Sequence, residues 1–482
     1  LNFTRREILF LSLIIAITIV IRLPHINRPI SKHHEFNVGF FLQTMQIWNN
    51  SSAFDFNFVH VCNYQNINDK YITNLAFNKF QKDGTLYYAS FPPFSYILPY
   101  MFFQIFQLEI SILNLQIFNL ILSAFFSIAV YLILKKISLR NHEYANLFSL
   151  VIWATLPAIL WFHGNAYTHQ VLFSVLLSFN ILSFLYYKNK IAQVLFYLTL
   201  ALCMYTDWAG FLLALSYFLC SIYQFFHTKR VNKNLLLIPL ITVIVLGLIV
   251  WQFSAYIGFE NYFSYMKMRF FTRSNISNIS NVFLLPISLI KWLIIGFGFS
   301  FFLIIFHFIR NRFVSNQQSK SVIYILLLFG ILFHFIFSNF TQIHDYSIIV
   351  NSVLLAILIR EFLLIFSFKH QLIISIILFI TNVVQYFYIN MIGDIAQNGD
   401  RYDMYKVIGE EINSKTSNDE VIFITGQYID NCPQLLWYAK RNYYYIEDTN
   451  YCSYLHKLQS RKIAIFNIQD NKIYHVEHQI CP

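Results

Sequence analysis

The sequence predicts an all-α polytopic membrane protein of about eleven transmembrane helices, with a large outer first loop and a small C-terminal α/β domain outside the bilayer. Three observations predict it. Of 482 residues, 57% are hydrophobic and only 12% charged, about half the charge of an ordinary soluble chain. Apolar runs of about 17–25 residues recur from Glu7 almost to Gly393, the length that crosses roughly 30 Å of hydrocarbon. Lys and Arg gather in short stretches between these runs, so the net charge of +11 is a topology signal and not a nucleic-acid footprint.

The expected spans are 7–23, 111–134, 145–162, 168–187, 191–207, 210–227, 235–257, 284–309, 321–338, 346–365 and 370–391. Thr4-Arg5-Arg6-Glu7 followed by Ile8 to Val20 resembles a signal peptide, but no small-residue cleavage site follows. It runs on into Arg22 and Pro24 and reads as an uncleaved first helix. Positive charge falls on alternate connections: Arg5/Arg6, Lys135/Lys136/Arg140, Lys188/Lys190, Lys229/Arg230/Lys233, Arg310/Arg312/Lys320 and Lys369. That side is cytoplasmic. The scheme requires that the apolar run 91–107 not cross. Its Phe91-Pro92-Pro93 start and interspersed Tyr and Gln suit an interfacial helix on the outer face.

Outside lie the first loop, 24–110, the stretches 163–169, 205–208 and 339–346, the loop 258–283, and everything after Ile392. The chain divides into a membrane domain, 1–394, and an extracytoplasmic α/β domain, 395–482. Within the latter a helix is expected at 403–415, a strand at Glu420–Gly426 and a helix from Pro433 to Arg441. Strands at Tyr443–Ile446 and Ile463–Ile468 flank a helix near Cys452–Gln459. Of six cysteines, Cys203 and Cys220 lie in helices and Cys62, Cys432, Cys452 and Cys481 in polar segments. An oxidising exterior predicts one disulfide among Cys432, Cys452 and Cys481, with Cys62 a further candidate.

The polar residues of the apolar region collect on the outer face. Lys32-His33-His34-Glu35-Phe36-Asn37 follows the first span. Its carboxylate, flanked by imidazoles and a lysine, is placed to deprotonate an acceptor hydroxyl while cations hold a phosphate. The bland alternative is a solvated loop meeting headgroups. Tyr88 precedes the Pro-Pro turn, which otherwise reads as structural. Asp207, beside Trp208, and Asp345, between His344 and Tyr346, sit where apolar runs meet the outer face. An intramembrane acid usually faces a cavity, and a helix cap is the competing explanation. His163, Asn165 and His169 add donors and acceptors. They lack the tight spacing of metal ligands, so a divalent metal is not predicted. Lys267, Arg269 and Arg273 oppose the positive-inside trend, as an anion site for a lipid phosphate would.

Together these pieces resemble the GT-C membrane glycosyltransferases, in particular the protein O-mannosyltransferase and lipid A aminoarabinose transferase group. The matching motifs are His33-His34-Glu35-Phe36-Asn37 in the first loop, Phe91-Pro92-Pro93-Phe94-Ser95-Tyr96, the late His344-Asp345-Tyr346, and Leu435-Leu436-Trp437-Tyr438-Ala439-Lys440-Arg441 in the tail. The resemblance spans nearly the whole chain. It implies a bacterial cytoplasmic-membrane enzyme that transfers a sugar, with inversion, from a polyprenyl-phosphate donor to a lipid, glycan or protein acceptor at the outer face. A first-loop carboxylate is the base. This chain departs from the common Asp-Glu motif, since His34 stands at the aspartate position and Glu35 matches the second acid. The family's lysine before Pro-Pro is Phe91 here, which leaves Lys32, Arg269 and Arg273 for the phosphate. The competing class, a polytopic transporter or lipid flippase, would show internal repeats and midplane-broken helices. It would need neither an acidic first loop nor an α/β tail.

The charge pattern makes a direct prediction. In intact cells a cysteine placed at position 188 should resist an impermeant thiol reagent, and one placed near the C-terminus should react. The reverse labelling would overturn the topology.

Overall fold

The computed structural model describes residues 3–30, 34–70, 80–138, 142–228, 237–274, 279–302, 305, 317–392, 404–427, 432–446, 451–452, 462–470 and 472–481. Its helices begin with α1 Arg5–Arg22, α2 Phe36–Ser51, α3 Phe94–Ile105, α4 Ile112–Ile137, α5 Glu143–Ala154 and α6 Pro157–Phe162. There follow α7 His169–Leu185, α8 Lys190–Thr206, α9 Ala209–Thr228, α10 Leu237–Ile257, α11 Phe259–Ser274 and α12 Ile279–Phe297. The last are α13 Gln317–Ile336, α14 Ser338–Ile343, α15 Ser352–Leu363, α16 Phe368–Ile392, α17 Met404–Lys415 and α18 Pro433–Ala439. Two compact units emerge: Leu1–Ile26 with Gln116–Ile249 and Lys267–Met391, and Asn27–Leu115 with Val250–Met266 and Ile392–Pro482.

The first unit is a helical bundle. Among the described residues six segments are long and apolar enough to cross a membrane: Arg5–His25, Ile112–Ile137, Ala209–His227, Leu237–Ile257, Asp345–Leu363 and Phe368–Tyr388. Thr4 starts α1 with a capping box, its hydroxyl accepting from the Glu7 amide at 3.2 Å while the Glu7 carboxylate accepts from the Thr4 amide at 2.7 Å. The same carboxylate accepts from the Tyr131 hydroxyl at 2.5 Å and pairs with Lys135 at 2.7 Å. The beginning of α1 and the end of α4 therefore lie at one end of the unit.

Several expected boundaries are corrected. The span 145–162 is two helices, because Pro157 has no amide to continue the ladder and starts α6 instead. The side chain of Arg22, 1% exposed, donates to two buried carbonyls within that short helix, Leu160 O at 2.9 Å and Ile159 O at 3.0 Å. The span 346–365 opens as a 3-10 segment, Asp345–Asn351, before α15. The span 284–309 begins earlier, at Ile279, and a turn at Gly298, whose φ of +57° suits a residue without Cβ, separates α12 from further helical residues at 299–302. The region 258–283, expected as a loop, contains α11. Arg140, Lys229, Arg230, Lys233, Arg310 and Arg312 lie outside the described residues.

The second unit joins the first loop to the tail. Two pieces of the first loop went unread in the sequence: α2, and the hairpin of β1 Phe80–Lys82 with β2 Thr85–Tyr87. Along α2, Gln43, Thr44 and Trp48 donate to the carbonyls of Cys62, Val61 and Val59 at 2.9–3.2 Å. On α3, Tyr96 stacks on Phe41 at 4.0 Å and on His60 at 3.6 Å. The interfacial helix expected over 91–107 is thus an aromatic partner of α2.

In the tail β3 Glu420–Gly426, β4 Tyr444–Tyr445, β5 Lys462–Gln469 and β6 Lys472–Ile480 form a sheet of order β4-β3-β5-β6. β3 runs parallel to β4 and β5, and β5 antiparallel to β6. Continuous apolar runs in β3 and β5 are buried, as central strands require. The strand expected over 443–446 is shorter, and β6 was not foreseen. Most of the helix expected near Cys452–Gln459 lies outside the described residues. Cys452 and Cys481 form the disulfide, packed against the core of Val421, Phe423 and Ile463.

The tail is clasped to the first loop by buried polar contacts. Asn442 accepts from the Tyr64 amide and donates to its carbonyl, both at 2.8 Å, and donates to Asp69 at 2.8 Å. Burial pushes the Asp69 carboxyl up to about 7, against the Asn442 hydrogen bond and the charge of Arg441 3.9 Å away. The folded carboxyl keeps its proton to higher pH than an unfolded one near about 4. Its stabilisation is therefore complete below about pH 4 and fades as pH rises through about 7. The melting temperature in detergent should fall by a few degrees between about pH 5 and about pH 8, and Asp69→Asn should flatten that fall. An unchanged slope in the variant would refute the assignment.

Candidate functional site

Glu35 ends a turn and stands at the N-cap of α2 without capping it. Its side chain, 1% exposed, turns instead to Arg28. One guanidinium nitrogen donates to Oε2 at 3.1 Å and the other to Oε1, a two-point fork. His34, also buried, occupies the left-handed region at φ 58°, unusual for a residue with a Cβ. Its carbonyl accepts the Asn37 amide at 3.1 Å, which begins α2. Asn37 is 7% exposed. Lys32 and His33 lie outside the described residues. Tyr88 packs edge-on against Phe40, 4.9 Å between centroids, one helical turn beyond Phe36. The structure thus brings Glu35, His34, Asn37 and Tyr88 onto and around the start of α2.

Asp207 and Asp345 belong to the first unit. Asp207 caps α9: its Oδ1 accepts the Ala209 amide at 2.8 Å, and its Oδ2 accepts from Gln170 at 2.9 Å. Trp208 stacks on Phe211 at 5.6 Å. Gln170 follows His169, 2% exposed, at the start of α7. Arg273 lies within electrostatic reach of Asp207 and over the Phe340 ring at 5.8 Å. Phe340 in turn meets His344 at 4.8 Å and Tyr346 at 5.6 Å. Asp345, 6% exposed, opens the 3-10 segment between those two rings. Asp207, Arg273, His344, Asp345 and Tyr346 therefore form one polar and aromatic group.

Arg269 shares a face of α11 with Arg273 at a four-residue spacing, whereas Lys267 is exposed. Asn165 ties the bundle together, donating to His25 O at 3.0 Å and accepting from Tyr386 at 3.2 Å. His163, fully buried, lies 4.9 Å from the ring of Phe126. Among the described residues no group of three or more His, Cys, Asp or Glu side chains gathers as a metal site.

Sequence reasoning missed Arg28 and Tyr438. Arg28 carried a signal, an isolated cation in a segment assigned to the outside. Tyr438 lay in a matched motif of the tail, but nothing in the spacing linked it to Glu35, roughly four hundred residues earlier. Its hydroxyl accepts the Ile30 amide at 3.0 Å.

No protein-family model and no curated protein sequence matches the chain. Solved structures do. ArnT from Cupriavidus metallidurans bound to undecaprenyl phosphate is similar with a TM-score of 0.63, over 95% of this chain and 93% of that one, at 11% identity. The archaeal oligosaccharyltransferase AglB from Archaeoglobus fulgidus, in complex with an inhibitory peptide and a dolichol-phosphate, is similar with a TM-score of 0.57. That likeness covers 95% of this chain and 69% of the other, at 13% identity. Both neighbours are GT-C glycosyltransferases. At these identities the likeness speaks for architecture: the chain has the GT-C fold.

Proposed function

We propose that the chain is an inverting glycosyltransferase of the cytoplasmic membrane. It moves a sugar from a polyprenyl-phosphate donor to a lipid, glycan or protein acceptor at the outer face. The observation that carries this reading is the buried carboxylate of Glu35, held beside a guanidinium at the start of the first-loop helix of a GT-C fold. The reading includes about eleven crossings, with Lys136 and Lys188 inside and His163, Asp207 and the tail outside.

In this reading the acceptor hydroxyl gives its proton to Glu35, with His34 the competing base. The acceptor oxygen bonds to the anomeric carbon from the face opposite the departing phosphate. The bond from that carbon to the phosphate oxygen breaks, and polyprenyl phosphate leaves. Arg28 supplies a cation beside the base that the Phe91 position lacks. Arg269 and Arg273 hold the lipid phosphate, and His344, Tyr346, His163, His169, Trp208 and Lys267 are assigned to substrate contacts, with Lys32, His33, Asn37 and Tyr88 near the acceptor. Asp345 and Asp207 rank below Glu35, because Glu35 lies in the first-loop cluster directly after the first span, whereas Asp207 caps α9 through Ala209 and accepts from Gln170.

The test measures sugar transfer from a polyprenyl-phosphate donor in liposomes. General-base catalysis contributes about 10²–10⁴-fold, so Glu35→Gln should lower kcat by about that range and spare donor binding. Arg269→Ala and Arg273→Ala should raise the donor KM instead, since a phosphate contact acts in the ground state too. Near-normal turnover in Glu35→Gln with none in His34→Ala would move the base to His34. Full activity in both variants would place the site elsewhere.

A further inference from the structure

We propose that Tyr438 of the C-terminal domain is a positioning residue for the Arg28–Glu35 pair. The proposal rests on the reading above, in which Glu35 is a reacting group.

The geometry starts from a close approach of two helices. A Cβ on Gly39 would lie 2.9 Å from the Gln434 amide nitrogen and 3.1 Å from its Cα, so α18 meets α2 backbone to backbone and only hydrogen fits between. Residues four apart share a helix face. Glu35 lies four residues before Gly39, and Tyr438 four residues after Gln434. One contact therefore brings Tyr438 alongside the segment that carries Glu35.

There the Tyr438 hydroxyl accepts the amide of Ile30, itself 1% exposed, at 3.0 Å. Ile30 lies two residues from Arg28, whose guanidinium forks onto Glu35. Burial, with the Glu35 charge adding to it, pushes the Tyr438 hydroxyl up to about 12. It therefore remains a neutral phenol at ordinary pH. The Asn442 clasp on Tyr64 and the hydrogen bond from the Tyr444 hydroxyl to Asp69 O at 2.5 Å hold the domain in place independently of Tyr438. Losing the phenol oxygen should consequently loosen the Arg28 segment without detaching the domain.

The experiment uses the full chain in liposomes as wild type, Tyr438→Phe, Gly39→Ala and, as a control, Tyr445→Phe. Tyr445 donates to Gly426 O at 3.1 Å, within the tail sheet. Amide hydrogen exchange at Ile30, resolved by overlapping peptides, reads the pin. Transfer from a polyprenyl-phosphate hexose or pentose reads its consequence. Exchange at Ile30 should quicken in Tyr438→Phe and further in Gly39→Ala, and stay unchanged in Tyr445→Phe. Small misplacements at a reacting group cost up to about 10²-fold, so Tyr438→Phe should lower kcat about tenfold and leave the donor KM alone. Unchanged Ile30 exchange in Tyr438→Phe would overturn the proposal, as would faster exchange with unchanged kcat. A fall in kcat matched by a rise in KM would also count against it. A wild type that transfers neither sugar would overturn the proposed activity for those donors, and the exchange measurement would still decide the pin.

Discussion

Taking a charged side chain out of water costs several kcal/mol unless partners replace its hydration. That constraint organises this chain at both scales. In the helical unit it joins Glu7 to Lys135 and Tyr131, and it gathers Asn146 and Ser138 around the Arg360–Glu361 pair. It also lays Arg22 across two carbonyls of α6. Each set connects helices far apart in sequence, so the pairing fixes which ends meet and not merely how tightly they pack. The second unit repeats the device with Arg28 on Glu35 and with Asn442 and Arg441 on Asp69.

The fold was legible wherever one period dominated. Apolar runs of membrane length located the helices of the bundle, and Glu420–Gly426 and Met404–Lys415 emerged almost as read. The misses have physical causes. α2 was invisible because its apolar residues pack on 59–62 and on α3, leaving no polar face to mark a period. α11 carries lysine and arginine among aromatics, a composition shared with loops. β6 is an edge strand, so its residues are largely exposed and lack the apolar core of β3 and β5. At 145–162 and 346–365 hydropathy counted apolar length and passed over Pro157 and the 3-10 turn.

The site was legible residue by residue and not in its wiring. His34 and Glu35 stood out because polar residues beside a span are expensive to place without purpose. Arg28 was in view but had no pattern pointing it at Glu35. Asp207 shows the opposite case. The sequence marked it as unusual, and the structure answers part of that with a helix cap and a glutamine contact. Asn165 likewise proves to be a fastener between α16 and the 3-10 turn that follows α1.

The Arg28 fork sharpens the chemistry that the His34-Glu35 departure left open. A carboxylate with both oxygens on one guanidinium keeps a lone pair on each, but taking a proton gives up the charge that strengthens the fork. Hydrogen bonds to charged groups are each worth about 1.5–3 kcal/mol net, so that surrender is not free. It becomes cheap when a second anion arrives to engage the guanidinium, and a lipid-linked phosphate is such an anion. On this view the fork keeps Glu35 oriented while the donor is absent. In the proposed reaction, donor binding would loosen it in favour of the acceptor hydroxyl. His34 stands at a φ of 58°, which ties its ring to a backbone that only the surrounding packing sustains. In the proposed reaction the fork is the contact through which the readiness of Glu35 can be coupled to a donor phosphate.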